Sequence, residues 1–231
     1  MAINPTFPTE ASIEFNYSEL KNVFAGACAP AALARLIERL GAQRVLLVAS
    51  TSLSQATDEF AELQSALGSN FAGLLHGIGP HTPRPDVMRT LEAARDADAD
   101  LLVSLGGGSI IDACKVVQLA IDQGVESQAQ LIEYAQYGDG TRGSKYADFS
   151  LFKGDSKIRQ VAIPTTLSGA EFSNNASVLN TEISAKEGYR GIDLCPQTII
   201  YDPQLSLHTP QWLWLSTAIR SLDHAVEGYC S

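Results

Sequence analysis

The segment DLLVSLGGGSIIDACKVV, residues 100–117, constrains this chain more than any other. A leucine and valine run ends at Leu105, three glycines follow at Gly106, Gly107 and Gly108, and Ser109 opens a stretch with helical apolar spacing. Glycine admits positive φ and leaves room for a ligand to touch the main chain. A helix starting there points unpaired N–H groups and the positive end of its dipole at the turn, which favours a phosphate. Ser109 stands at the cap position, able to cap the helix or donate to a phosphate oxygen, and Asp112 approximates a capping box. A tight strand-to-helix turn without a ligand is the other reading of the same residues. The turn fits neither GxxxxGK[ST] nor GxGxxG, and Lys115 lies within the helix, so a nucleotidase loop is excluded.

Around this junction, strand-like and helix-like segments alternate. A helix with apolar residues at Ala32, Leu33, Leu36, Ile37 and Leu40 stops at Gly41 and is followed by the strand RVLLVAS. A second helix runs to Gly68, a short apolar run covers residues 71–78, and GPHTPRP makes a turn before a helix over residues 86–97. The strand at residues 101–105 then leads into a helix over residues 110–123. Residues 133–157 read as loop, RQVAIPTT as a strand, residues 175–186 as a hairpin, QTIIYDP as a strand, and residues 210–230 as a helix. This alternation predicts an α/β fold, a doubly wound parallel sheet with crossover helices. A boundary near Pro203 to Pro210 divides it into an α/β dinucleotide-binding domain over residues 1–205 and the beginning of a truncated helical domain over residues 206–231.

The second polar cluster is IPTTLSGAEFSNNAS, residues 163–177. It places Thr165, Thr166 and Ser168 at the carboxyl end of a strand, the edge where doubly wound sheets bind ligands. Hydroxyls there hold a carboxamide, a ribose or a phosphate without charge. A polar loop bonded only to its own backbone is the alternative.

Composition narrows the partners. The net charge of −10 and the absence of a basic cluster argue against nucleic acid and anionic membranes. No apolar run approaches the roughly 20 residues of a membrane span, and the N-terminus lacks a secretory pattern. Cys28, Cys114, Cys195 and Cys230 show no metal-type spacing and read as reduced thiols, so a cytoplasmic enzyme is expected.

GGGSIIDACK at residues 106–115, IPTTLSGAEFS at 163–173 and LDHAVEGY at 222–229 occur in that order. Together they resemble the iron-containing (group III) alcohol dehydrogenase superfamily, over essentially the whole chain from Val23. The resemblance implies an NAD- or NADP-binding α/β domain, a helical domain and an active site between them. It also implies that Gly106, Gly107, Gly108 and Ser109 take the pyrophosphate, with Asp112 and Lys115 near the cleft and Thr165, Thr166 and Ser168 along the cofactor. Ser50 stands where family members can carry an aspartate that repels the 2′-phosphate of NADP, so either cofactor is admitted. His224 matches the first histidine that binds the family's divalent metal.

The family's DxxxH pattern puts carboxylate and imidazole on one helix face. Here Arg220 occupies the position four before His224 and cannot ligate a metal, which counts against an iron or zinc site. An arginine can instead clamp a carboxylate. With GPHTP at residues 79–83, this departure resembles the maleylacetate-reductase-like branch. The expectation is an NAD(P)-dependent oxidoreductase acting on a small carbonyl, alcohol or oxo-acid, with His224 as proton relay, Arg220 as anion clamp and Lys115 in the cleft. A small anionic substrate and a homodimer complete the expectation. A metal-dependent alcohol dehydrogenase and a non-catalytic, truncated nucleotide-binding relative remain as alternatives. In the truncated case Trp212, Trp214 and Leu215 are expected to be exposed.

Overall fold

The computed structural model describes residues 19–56, 58–146 and 156–230. Among these, a six-stranded parallel sheet has the order β1-β9-β6-β4-β2-β3. Its strands are β1 (Asn22–Ala25), β2 (Val45–Ala49), β3 (Phe71–His76), β4 (Leu101–Gly106), β6 (Arg159–Pro164) and β9 (Thr198–Tyr201). The interior strands β2 and β4 are buried at every residue, as expected for leucine- and valine-rich strands covered on both faces. A three-stranded antiparallel sheet, order β5-β8-β7, is formed by β5 (Gln136–Tyr137), β7 (Asn175–Asn180) and β8 (Ala185–Arg190).

Helices cover both faces of the large sheet. On one side lie α1 (Ala29–Leu40) and α3 (Asp58–Leu67), burying Leu33, Leu36, Leu63 and Leu67 against Leu47, Val103 and Val161. Gly41 ends α1 in the left-handed region, φ 69°, where glycine carries no Cβ penalty. On the other side lie α4 (Arg84–Asp96), α5 (Gly108–Asp122) and α6 (Gln128–Ile132), whose Val87, Leu91, Val116 and Val117 pack on Leu46, Val48 and Leu102 and against the small sheet. Each such aliphatic side chain contributes roughly 1.5–3 kcal/mol on burial. The remaining α-helices among the described residues are α2 (Thr51–Ala56), α7 (Pro203–Ser206) and α8 (Gln211–Cys230). Leu205 of α7 is buried in the first core, whereas α8 has no buried residue.

The doubly wound parallel sheet agrees with the sequence reading, and the differences are local. Asn22–Ala25 carries no turn or periodicity signal of its own, yet it forms an edge strand because β9 offers an unpaired parallel edge. Part of the stretch read as loop becomes the two-residue strand β5, paired with β8; residues 147–155 lie outside the described residues. The hairpin extends to Arg190.

Candidate functional site

The chain runs from β2 outward to β3 and then returns to β4 on the other side of β2, so the winding reverses between β2 and β4. Register brings Ala49 opposite Leu105 and Gly106 opposite Pro164, which gathers Ser50, Gly107 and Thr165 at one sheet edge. The Ser50 amide donates to Leu105 O at 2.9 Å and the Thr165 amide to Gly106 O at 3.0 Å, locking the three turns together. The two polar clusters, about sixty residues apart in sequence, therefore form one site.

Gly106 has φ +147°, a conformation essentially closed to other residues, and a Cβ there would sit 2.5 Å from Ile110 Cδ1. A Cβ on Gly107 would meet Thr166 Cγ2 at 3.2 Å, and one on Gly108 would meet Ser168 Oγ at 3.0 Å. These glycines thus serve the approach of the 165–168 loop as well as an open helix end. Gly107 is the N-cap of α5, and no side chain caps the first turn. The serine cap read from the sequence is corrected here: Ser109 is the second helical residue, and its hydroxyl accepts from the His81 amide at 3.0 Å instead of closing the helix.

Beside that open end, Thr166 is 5% exposed, and its Oγ1 is buried without a hydrogen-bond partner among the described residues. A buried hydroxyl left unpaired costs about 1–3 kcal/mol, so its placement calls for a partner. A crevice of about 50 Å³ opens there, lined by Ser50, Ser52, Gly107, Thr165, Thr166 and His208, among others. Thr209 Oγ1 donates to Thr165 O at 2.6 Å, and His208 Nε2 lies 3.2 Å from Glu59 Oε2, drawing the segment before α8 over the crevice. Uncapped amides, glycines and an unsatisfied hydroxyl fit a dinucleotide's phosphates and ribose.

Lys115 departs from the reading that set it in the cleft. It is fully buried, and its Nζ donates to Ala170 O (2.6 Å), Asn175 O (2.7 Å) and Ser173 Oγ (3.0 Å), with Asp112 Oδ1 at 3.3 Å. Its three protons are spent on the loop that follows the second polar cluster. Burial holds the ammonium below the usual lysine range, opposed by the Asp112 carboxylate. Asp112 is pushed upward by its own burial, with Lys115 opposing, and its Oδ2 accepts from the Ser177 amide at 3.0 Å. The pair pins the loop to α5.

Arg220 and His224 lie on the exposed α8, one turn apart, and Arg220 Nη1 is bonded to Asp223 Oδ2. Neither forms a hydrogen bond or ion pair with the glycine turn among the described residues. No group of three or more His, Cys, Asp or Glu side chains among those residues is placed to hold a metal. Among the described residues no cysteine is in a disulfide, and Cys114 and Cys195 are buried.

Two features escaped the sequence reading. His81 and Thr82, at φ 62° and 58°, form a left-handed pair against α5, and no residue type in GPHTP announces it. Glu187 is fully buried: Oε1 accepts from Arg84 Nη1 at 2.7 Å, Asn180 Nδ2 at 2.8 Å and Tyr137 Oη at 3.3 Å, and Oε2 from Tyr189 Oη at 3.0 Å. The period-2 pattern of AKEGYR puts Glu187 on the face of Tyr189, a signal that an inward carboxylate needs a cation.

With this arrangement in hand, the comparisons give the class. Residues 21–203 match the iron-containing alcohol dehydrogenase family, and the chain belongs to it. It is 35% identical over 85% of its length to "Dehydrogenase FUM7" of Gibberella moniliformis, covering 46% of that protein. It is 30% identical over 84% of its length to "Maleylacetate reductase 1" of Rhodococcus opacus, covering 43% of that protein. The crystal structure of maleylacetate reductase from Agrobacterium tumefaciens superposes with a TM-score of 0.68 at 27% identity, over 93% of this chain and 50% of that one. The chain spans about half the length of the curated relatives it matches. No helix among the described residues is long and apolar enough to cross a membrane.

Proposed function

We propose that this protein is an NAD(P)-dependent oxidoreductase whose substrate is a small carbonyl or alcohol compound, with an oxo-acid of the maleylacetate kind favoured. The observation that carries the reading is the uncapped N-terminus of α5 with the unpartnered, buried Thr166 Oγ1 beside it, at the point where the winding reverses. Gly106, Gly107, Gly108 and Ser109 would hold the pyrophosphate, and Thr165, Thr166 and Ser168 the adjoining ribose or carboxamide. The bound nicotinamide supplies or accepts a hydride; position and electrostatics fall to the protein.

Ser50 at the end of β2 presents a hydroxyl where a carboxylate would repel a 2′-phosphate, which favours NADP as an admitted cofactor beside NAD. Arg220 and His224 are proposed as anion clamp and proton relay on the helical wall of the cleft. Lys115, committed to the loop, is not included. The relatives named maleylacetate reductase support an oxo-acid substrate. The division at residues 205 and 206 is part of the same reading, with α8 as the first helix of the wall. A cytoplasmic homodimer is the expected state.

Fluorescence titration with NADH and NADPH on demetallated protein, followed by a screen of 2-oxo and enoyl carboxylates, tests it. Binding with metal-independent turnover of an acidic substrate supports the reading. Turnover only after ferrous iron or zinc is restored points to a metal-dependent alcohol dehydrogenase. Binding without turnover under either condition leaves a nucleotide-binding protein without catalysis.

A further inference from the structure

Among the described residues, His81 and Thr82 are the non-glycine positive-φ residues bonded to the first turn of α5. Both residues have positive φ, and a β-branched threonine in that region is a genuine outlier. Strain of this kind persists only where surrounding contacts over-determine it, and it collects at functional sites. Here the contacts are explicit. The Thr82 carbonyl accepts from the Leu179 amide at 2.9 Å, and Pro83 bridges Leu179 in parallel register. Arg84, next in the chain, is anchored by Glu187 at 2.7 Å and by Gln128 Oε1 at 2.9 Å. The small sheet therefore grips the pair from behind.

On its other side the pair makes two bonds to a single residue. The His81 amide donates to Ser109 Oγ at 3.0 Å, and Thr82 Oγ1 donates to Ser109 O at 3.0 Å. A serine hydroxyl has one proton to give. With His81 N–H occupying a lone pair of Ser109 Oγ, that proton is left to point elsewhere, and an anion at the α5 N-terminus needs donors only. A connection that merely joined β3 to α4 would place glycine or asparagine at positive φ; this one spends a buried threonine, 1% exposed, and bonds its hydroxyl to the turn.

We propose that Thr82 is a positioning residue for cofactor binding: its bond to Ser109 O seats the strained pair so that His81 N–H fixes the Ser109 hydroxyl as a donor to the cofactor's phosphate. The proposal rests on the dinucleotide-binding reading above. Its test is a double-mutant cycle between Thr82→Val and Ser109→Ala, with Thr82→Ser as the conservative control. NADH and NADPH dissociation constants are measured by fluorescence, and thermal midpoints by calorimetry. Thr82→Val should weaken binding about tenfold, the loss expected for one hydrogen bond. Thr82→Ser should stay within about twofold of the parent, and in the Ser109→Ala background Thr82→Val should add less than about twofold.

Unchanged affinity in a folded Thr82→Val protein overturns the proposal. So do effects of Thr82→Val and Ser109→Ala that multiply independently, or an equal loss in Thr82→Ser. Thr82→Ala deletes the same oxygen and carries the test if valine prevents folding. A parent protein that binds neither dinucleotide removes the underlying reading as well, whereas binding by the parent with no response to Thr82 removes only this inference.

Discussion

Helices α5 and α8 both follow a strand of the large sheet closely in sequence and both carry residues with chemical promise, yet they are built in opposite ways. Ten of the fifteen residues of α5 are buried, and its polar residues Asp112 and Lys115 are consumed by contacts to the 170–177 segment. What α5 offers a ligand is backbone: an uncapped first turn behind three glycines. Helix α8 buries none of its twenty residues and offers side chains, Arg220 and His224, on an exposed face. It is tied down by Thr217 Oγ1, which accepts from the Leu167 amide, and by Ser221 Oγ, which donates to Leu167 O. A site made of main chain is complete once the local fold forms; a site made of side chains waits for whatever packs beside it.

The contrast predicts unequal responses to substitution. Lys115→Met should destabilise the protein by about 3–5 kcal/mol, because it strands the Asp112 carboxylate and the carbonyls of Ala170 and Asn175. Arg220→Ala, on the exposed helix, should stay within about 0.5 kcal/mol. Urea unfolding of both variants checks this, and equal losses would break the comparison.

The exposed side of α8 carries Trp212, Leu215, Ile219, Leu222, Val226 and Tyr229 at alternating three- and four-residue steps, one continuous apolar stripe. Trp212 and Leu215 are exposed, and Trp214 is partly buried. On the homodimer proposed above, with this stripe as its interface, Leu215→Gln with Ile219→Gln should reduce self-association several-fold by sedimentation, without lowering the thermal midpoint. Association that persists unchanged would place the sticky surface elsewhere.

Two smaller effects sharpen the account of the α5 side. Ser50→Asp should shift preference from NADPH toward NADH by about tenfold, read as the ratio of dissociation constants. A ratio that does not move would separate the end of β2 from cofactor choice. Asp112 adds a pH dependence whose sign is fixed by burial. Its folded carboxyl sits above the ordinary value of 3.8, so it holds its proton more tightly folded than unfolded. The stability it contributes is complete below that ordinary value and fades as pH rises through the raised one. Asp112→Asn should lack this acid-range decline in chemical unfolding, and an identical slope would contradict the assignment.

Much of the fold was legible because its cues are local: buried strands at RVLLVAS and LLVSL, glycine stops at Gly41 and Gly68, and the open turn at Gly106. The union of that turn with Thr165 and Thr166 was legible through the alternation of elements, since parallel winding brings strand ends together. Edge strand β1 was not, because a four-residue strand there exists only through pairing with β9. Lys115 illustrates the limit for side chains. Its motif position is plain in the sequence, but three acceptors from residues 170–175 decide what its ammonium does. The left-handed pair at His81 and Thr82 depends likewise on Leu179 and Ser109, far away in sequence.

The central claim is that the glycine turn of α5 holds a nicotinamide dinucleotide. The most direct measurement is a fluorescence titration of NADPH and NADH into the parent and into Gly107→Val, whose side chain must intrude on Thr166, already 3.2 Å from a Cβ. The account predicts saturable binding by the parent and at least about a tenfold loss in a variant that remains folded by circular dichroism. Equal affinity in parent and variant, or no binding by the parent at all, would contradict it.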